Sequence, residues 1–281
     1  MGLKTWLKNL FDGQGKCPPD LNFERISYCL DYAMAVYRPN LNNPKILLDK
    51  MIAGGRMIIY AHSQKTCVIA FRGIQFSDIA TGKVELINAF EIELAQLKPQ
   101  YAKDYTFLQR LYKVNKYDYD YDNIKVHYGF LQVFNSFKQD ILKVLGETKY
   151  ANVVFTGHSK GGAIAKIAAG YFVGQAMDVS FVSFGSPKVG NVDFKNYINS
   201  RILEGYNIIV DDDNIPSLPP KSAYTHVGTV IRIDENGKVI KTLSNTMMLF
   251  NYFNWARFRD HGTESYIHAV LSFYNNNKGA K

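Results

Sequence analysis

Val153-Val154-Phe155-Thr156-Gly157-His158-Ser159-Lys160-Gly161-Gly162-Ala163-Ile164-Ala165 reads as a buried strand, a sharp Gly-x-Ser-x-Gly turn and the start of a helix. In that context Ser159 is expected on an elbow that lifts a nucleophile out of the strand end. Gly157 and Gly161 have a steric reading. A turn this tight brings backbone segments together, and side chains there would clash. The small residues that follow let the helix pack closely on the sheet. Ser159 Oγ then stands at the carboxyl edge of the sheet, where α/β proteins carry out their chemistry. Gly-x-Ser-x-Gly alone is a weak signal, since a Gly-rich turn with no chemistry has the same letters. The flanking strand and Ala-rich helix strengthen it. A phosphate cradle is the competing reading, but its Gly-x-x-x-x-Gly-Lys-Ser/Thr pattern is missing. A nucleophilic Ser159 requires a base and an acid downstream.

The 281 residues suffice for one domain carrying a cap. Apolar residues make up 47% and charged residues 21%, as in globular proteins. No apolar run reaches the roughly 18 residues needed to span a membrane. Cys17, Cys29 and Cys67 are too few and scattered for a disulfide framework, and none forms a Cys-x-x-Cys pair. The net charge of +8 suits an anionic surface, and equally a plain lysine-rich exterior. No helix-turn-helix, zinc-finger or RNP-type motif supports a nucleic-acid partner. Residues 1–20 form an N-terminal amphipathic segment without the character of a signal peptide. Leu3, Trp6, Leu7, Leu10 and Phe11 recur at helical spacing, which fits a short interfacial anchor and equally a docked terminus.

Residues 22–37 read as an amphipathic helix. Arg56–Ala61 and Thr66–Phe71 read as β segments joined by a polar turn. Ile87, Phe90, Leu94 and Leu97 then form an apolar stripe at helical spacing. Asp118, Asp120 and Asp122 have the start of a calcium-loop spacing, but Asn123 and Gly129 stand where the loop needs Gly and Glu. That segment reads as a solvated loop, and no metal site is expected. Ile124–Val126, Val153–Thr156, Val179–Phe184 and Tyr206–Val210 read as strands, with helices expected over 131–145 and after Ser159. Val230–Ile233 and Val239–Thr242 flank Glu235-Asn236-Gly237-Lys238, a hairpin signal. The alternation of strands and helices implies an α/β fold with a mostly parallel sheet.

A serine hydroxyl becomes a useful nucleophile when a neutral imidazole takes its proton, and the imidazole needs a carboxylate to fix its tautomer. Where the nucleophile stands on such an elbow, acid and base follow in that order. Asp211, Asp212 and Asp213 all follow the strand Tyr206–Val210, and elementary chemistry does not choose among them. His62 and His127 precede the serine, and His158 is too close in sequence to reach its hydroxyl. His226, His261 and His268 remain. His261 is favoured by its polar, loop-like setting in Arg259-Asp260-His261-Gly262, whereas His268 lies inside the helix expected over 263–274.

Six motifs occur in order: Val68-Ile69-Ala70-Phe71-Arg72-Gly73, Val126-His127-Tyr128-Gly129-Phe130, the Ser159 elbow, Phe184-Gly185-Ser186-Pro187-Lys188-Val189-Gly190-Asn191, Asp213-Asn214-Ile215-Pro216 with Leu218-Pro219-Pro220, and Tyr224-Thr225-His226-Val227-Gly228. Through them the chain resembles the class 3 lipases, the fungal-lipase-like branch of the α/β-hydrolases, over Phe23 to Tyr274. The resemblance implies an α/β-hydrolase domain over 21–281. It has a mostly parallel central sheet flanked by helices and a lid or cap insertion at 76–123. The family's catalytic Asp lies three residues before the proline, which selects Asp213. Its catalytic His stands shortly before a tyrosine, which His261 with Tyr266 matches better than His268. The resemblance also implies an oxyanion hole from the amides of Ile74 and Lys160. Losing one such donor typically costs about 3 kcal/mol of barrier.

What the resemblance implies is a serine esterase that cleaves acyl esters, expected to be lipid: an acylglycerol lipase or a phospholipase A1-like enzyme. Ser159 attacks, His261 takes its proton, Asp213 orients His261, and neither metal nor cofactor is needed. The expected partners are the ester substrate and, transiently, an anionic membrane surface. The basic charge, the aromatic segment Met247–Trp255 and the cap add to the lipid reading. A cytoplasmic or peripheral membrane placement is expected, with export lacking a cleaved signal peptide equally compatible. Departures are Ile74 where the family carries Thr or Ser, Lys160 where it is usually apolar, and a long Arg72–His127 segment. Gln75 is the candidate to compensate for the hydroxyl missing at Ile74. The alternatives are a catalytically silent membrane- or protein-binding module on the same fold, and an acyltransferase.

Overall fold

Strand β6 (Asn152–His158) lies in the middle of a seven-stranded sheet, with nothing but sheet on either side of it. The computed structural model describes residues 20–52, 55–74, 94–96, 123–175, 177–211, 213–219, 223–240 and 261–278. Ahead of β6 come β1 (Ile46–Ile52), β2 (Gly55–Ala61), β3 (Thr66–Phe71), β4 (Leu94–Gln96) and β5 (Lys125–His127). After it come β7 (Asp178–Phe184), β8 (Glu204–Val210) and β9 (Thr229–Ile233). The sheet order is β1-β2-β3-β6-β7-β8-β9. The β1–β2 and β2–β3 pairs are antiparallel, and every pair from β3 to β9 is parallel. The mostly parallel sheet expected from the sequence is therefore present.

The helices are α1 (Phe23–Ala35), α2 (Tyr128–Thr148), α3 (Lys160–Phe172), α4 (Val192–Asn199) and α5 (Thr263–Asn277). Alternate strand residues feed two separate cores, as the period of two dictates. Cys67, Ile69, Phe71, Val153, Phe155, Val179 and Phe181 pack with α2, α3 and α4. Val68, Ala70, Val154, Val182 and Phe184 pack with α1 and α5. The sheet is thus covered on both faces, which explains why its inner strands are mostly apolar along their length rather than alternating. Each fully buried side chain of this kind contributes about 1.5–3 kcal/mol.

Local chemistry sets the helix starts. Asn22 Oδ1 accepts from Arg25 N at 3.0 Å and opens α1. Asn191 Oδ1 does the same for α4 through Phe194 N, also at 3.0 Å. In α3 every residue from Gly161 to Phe172 is buried. Its small residues allow that close approach to β3, β6 and β7.

Several expectations change. Leu94, read as part of a helical stripe, lies in β4, which pairs antiparallel with β5 through Leu94↔His127 and Gln96↔Lys125. Apolar spacing alone does not distinguish a short strand from a helix, and the pairing with β5 decides it. Ile87, Phe90 and Leu97 lie outside the described residues. Helix α2 starts three residues earlier than expected and runs three further. The hairpin turn forms, with Gly237 at φ +73° and Asp234 N donating to Lys238 O at 2.9 Å. Its returning arm begins with a bridge from Val239 to Ile233, and Lys241 and Thr242 lie outside the described residues. Strand β1 and helix α4 are additions to the sequence reading. Residues 1–19, most of the 76–123 insertion with Asp118, Asp120 and Asp122, and the segment Met247–Trp255 lie outside the described residues. No described helix is long and apolar enough to cross a membrane.

Candidate active site

At the end of β6 the backbone turns at Ser159 with φ +57° and ψ −129°, a conformation costly for any residue other than glycine. The surroundings impose it. Ser159 N donates to Phe184 O at the end of β7, at 2.8 Å. A Cβ on Gly157 would lie 2.6 Å from Gly161 O and 2.7 Å from Phe71 O. A Cβ on Gly161 would run into the Phe71 carbonyl itself. The first turn of α3 therefore crosses the end of β3 at backbone contact, which only glycine at both positions allows. The dipole of α3 points its positive end at Ser159.

Beyond β8, Asp213 sits in a turn closed by Asp213 N donating to Val210 O at 3.1 Å. Its side chain is fully buried and accepts hydrogen bonds on both oxygens. Oδ1 receives Ile215 N at 2.9 Å; Oδ2 receives His261 Nδ1 at 2.8 Å and the Tyr266 hydroxyl at 2.6 Å. Three aimed donors compensate the carboxylate. Tyr266 OH also accepts from Val210 N at 3.2 Å, so its proton is directed at Asp213. Burial and the Asp213 charge push the Tyr266 phenol well above its ordinary range, so it stays a donor. Gly185, at φ +57°, passes so close that a Cβ would lie 2.8 Å from Tyr266 OH and 2.9 Å from Asp213 Oδ2.

His261 is 4% exposed. Its Nδ1 is committed to Asp213, and its Nε2 is buried with no hydrogen-bond partner among the described residues. In neutral imidazole that arrangement puts the proton on Nδ1 and leaves a lone pair on Nε2. The His158 ring stacks on His261, with centroids 4.7 Å apart and planes 30° apart.

The other candidates sort themselves. His226 Nε2 meets Pro216 O at 2.8 Å and supports the turn after Asp213. His268 Nδ1 meets Glu235 O at 3.1 Å, at the exposed hairpin turn. The Asp211 carbonyl accepts from Arg232, and Asp212 lies outside the described residues. Asp213 is brought onto a histidine, His261.

Ile74 follows Arg72 and Gly73 in the segment leaving β3. A Cβ on Gly73 would lie 2.7 Å from His158 O and 3.1 Å from Ser159 Cβ, so this segment runs directly alongside the elbow. Lys160 opens α3 on the other side. Gln75 lies outside the described residues. Among the described residues no cluster of three or more His, Cys, Asp or Glu side chains is placed to share a metal ion.

Sequence reasoning missed two contributors. Tyr266 was a spacing marker only, and its bond to Asp213 spans 53 residues. Tyr37, whose hydroxyl meets Gly73 N at 3.0 Å and His158 Nδ1 at 3.2 Å, gave no signal beyond an aromatic at the end of the helix expected over 22–37.

Comparisons with known proteins give the family and the fold. The family model for lipase (class 3) matches residues 68–223. The secreted mono- and diacylglycerol lipase 1 of Fusarium solani is 36% identical over 99 residues, 34% of this chain and 30% of that protein. The phospholipase A1-II 1 of Oryza sativa subsp. indica is 33% identical over 160 residues, 53% of this chain and 36% of that protein. The matched stretches thus span about a third of the length of these curated relatives. The solved triacylglyceride lipase of Rhizomucor miehei superposes with a TM-score of 0.66 at 19% identity, covering 92% of this chain and 99% of that one. That likeness carries the α/β-hydrolase fold. With the family model matched from β3 through the turn after β8, the chain belongs to the class 3 lipase family.

Proposed function

We propose that this chain is a serine hydrolase that cleaves carboxylic esters of lipids. The observation that carries the reading is His261: one nitrogen fixed on buried Asp213, the other buried beside the Ser159 elbow with no partner among the described residues. Ser159 Oγ bonds to the ester carbonyl carbon while its proton passes to His261 Nε2. The carbonyl electron pair moves onto oxygen, and the amides of Ile74 and Lys160 hold that oxyanion. The carbon–oxygen bond to the alcohol then breaks, and the alcohol leaves with the proton from His261. Water repeats the sequence on the acyl-enzyme, with His261 as base, and frees the acid. Asp213 keeps the proton of the resting imidazole on Nδ1 and stabilises the imidazolium.

Lipid as substrate is supported by the family, by relatives named as acylglycerol lipase and phospholipase A1, and by the +8 charge. Lys160 adds a cation at the mouth of the elbow, which suits a phosphate-bearing head group and transient contact with an anionic membrane. Mass spectrometry of products from mixed phospholipids and acylglycerols, with Ser159→Ala as control, tests the reading. Free fatty acid from wild type and none from the variant is the expected result. Equal rates on short soluble esters, without gain at an interface, would remove the lipid half.

One observation favours a second reading. Ile74 offers no hydroxyl beside its amide, which suits a catalytically silent binding module on the same fold. Labelling by a fluorophosphonate discriminates: an adduct on Ser159 at neutral pH rejects the silent module, and its absence supports it.

A further inference from the structure

Lys166 has no exposed surface and no part in the chemistry above. It lies in α3, about two turns beyond Ser159. Its Nζ donates to Pro187 O at 2.8 Å and to Asn207 Oδ1 at 3.1 Å. Both acceptors are uncharged. Burial holds the amine well below its ordinary range. A neutral amine carries two N–H groups, and these two acceptors meet them. Lys188 and Lys195 share this region with it, as each opposes a charge on His226; neither supplies an anion for an ammonium.

The carbonyl that Lys166 holds belongs to a segment running between the nucleophile and the acid. Phe184 O accepts from Ser159 N at 2.8 Å. Gly185 lies against Asp213 Oδ2 and Tyr266 OH. Ser186 packs on the first turn of α3, since a Cβ on Gly162 would lie 2.8 Å from Ser186 Cβ. Lys188 N donates to Leu218 O at 2.8 Å, and Leu218 N to Ile215 O at 3.0 Å. Ile215 N completes the path by donating to Asp213 Oδ1 at 2.9 Å. The second acceptor of Lys166 is anchored as well. Asn207 stands in β8, receives Ser183 Oγ at 2.9 Å on Oδ1, and donates from Nδ2 to Val227 O.

We infer that Lys166 is a positioning residue for catalysis: its buried, uncharged Nζ joins the nucleophile helix to the Phe184–Lys188 segment and to β8, and so sets the spacing between Ser159 and Asp213. This rests on the serine-hydrolase reading above. Stability does not account for the side chain. Pro187 O also accepts from Ser186 Oγ at 3.2 Å, and Asn207 Oδ1 from Ser183 Oγ. Neither acceptor would be orphaned without Lys166. An apolar side chain of similar length would fill the same space without desolvating an amine, so the amine costs stability. What it adds is a fixed distance between the helix that bears the nucleophile and the turn that bears the acid.

Lys166→Met keeps nearly the length and removes both bonds. Tm is expected to hold or rise, while kcat on a soluble nitrophenyl ester falls about tenfold and KM stays within about twofold. A small displacement suffices, since about 1 Å of misplacement costs about a hundredfold. Lys166→Gln restores an uncharged NH2 group one atom short of Nζ and recovers part of the rate. Two arms need no turnover. The low-field proton resonance of His261 Nδ1, identified by its loss in Asp213→Asn, is expected to shift in Lys166→Met well below the melt. Nitrogen NMR of the wild-type lysines is expected to show a neutral amine at neutral pH that is absent from Lys166→Met. Wild-type kcat with an unmoved His261 resonance in Lys166→Met, or an ammonium at Lys166, overturns the inference while leaving the hydrolase reading intact. Failure of Lys166→Met to fold overturns it too, because a stability role would then explain the side chain. An inert wild-type protein would defeat the hydrolase reading, and a shifted His261 resonance in Lys166→Met would still support the spacing.

Discussion

His261 Nδ1 lies 2.8 Å from Asp213 Oδ2, and the Asp213 side chain is wholly removed from solvent. A buried carboxylate is tolerated because donors are aimed at it, here from His261, Tyr266 and Ile215. Asp213→Asn keeps the shape and replaces acceptor with amide. Its nitrogen would face the Nδ1 proton, so the imidazole is driven to the other tautomer and Nε2 no longer accepts from Ser159. A fall in kcat of about four orders of magnitude is expected, with KM changed by a few-fold at most. Steady-state kinetics on a soluble ester measures it; a loss under tenfold would remove Asp213 from the role assigned here.

Tyr266 supplies a second test on the same carboxylate. Tyr266→Phe removes a donor to Asp213 and leaves Val210 N, buried at the end of β8, without its acceptor. An unsatisfied buried donor costs about 1–3 kcal/mol. For a chain of this size about 1 kcal/mol corresponds to a few degrees in Tm. The variant is expected to melt a few degrees lower and to lose about three- to tenfold in kcat. Calorimetry and kinetics separate the two effects, since kcat measured well below the melt is insensitive to the stability loss.

Much of this arrangement is legible in the sequence, for physical reasons. β3, β6, β7 and β8 are buried on both faces, so each is a mostly apolar segment, with Ser180, Ser183 and Asn207 the buried polar residues inside β7 and β8. The elbow is legible because backbone contact at Phe71 and Gly161 admits no side chain. β1 is not, because it is an edge strand with alternating half-buried and exposed positions and an Asp49-Lys50 pair within it. β4 is not, because three residues carry no period and their state depends on β5. The choice of Asp213 over Asp211 follows from which carboxylate the chain turns inward after β8, a matter of backbone path. Tyr37 and Tyr266 act through single hydroxyls reaching across 121 and 53 residues, which no local pattern encodes.

The elbow glycines make a sharper prediction than their number suggests. In Gly161→Ala the new methyl meets the Phe71 carbonyl, which is pinned in β3 and has no rotamer to escape into. Overpacking of this kind costs about 1–3 kcal/mol or more. Loss of soluble protein, or a drop of several degrees in Tm with loss of activity, is expected. Gly129→Ala is the control: its methyl would meet only the edge of the His127 ring at 3.3 Å, on an exposed turn of α2. Equal stability for the two variants would contradict the backbone contact.

Acid should destabilise this protein through its buried histidines. Burial lowers His127 to about 4 and holds His158 and His226 well below their ordinary range. In the unfolded chain these imidazoles titrate near the usual value of about 6.5. Between about pH 6.5 and 4 the unfolded state therefore binds protons that the native state does not, so stability falls as pH falls and levels off below the folded pKa. His127 isolates the effect. Its Nδ1 accepts Phe130 N at the start of α2, a role that Asn fills well at a helix N-terminus. His127→Asn keeps an acceptor there and removes the titration. Urea midpoints measured from pH 7 to pH 4.5 should decline more steeply in wild type than in His127→Asn, so the two curves converge or cross as pH falls. Parallel curves over that range would mean that His127 protonates in the native state as readily as in the unfolded one, which its burial against the Phe130 ring argues against.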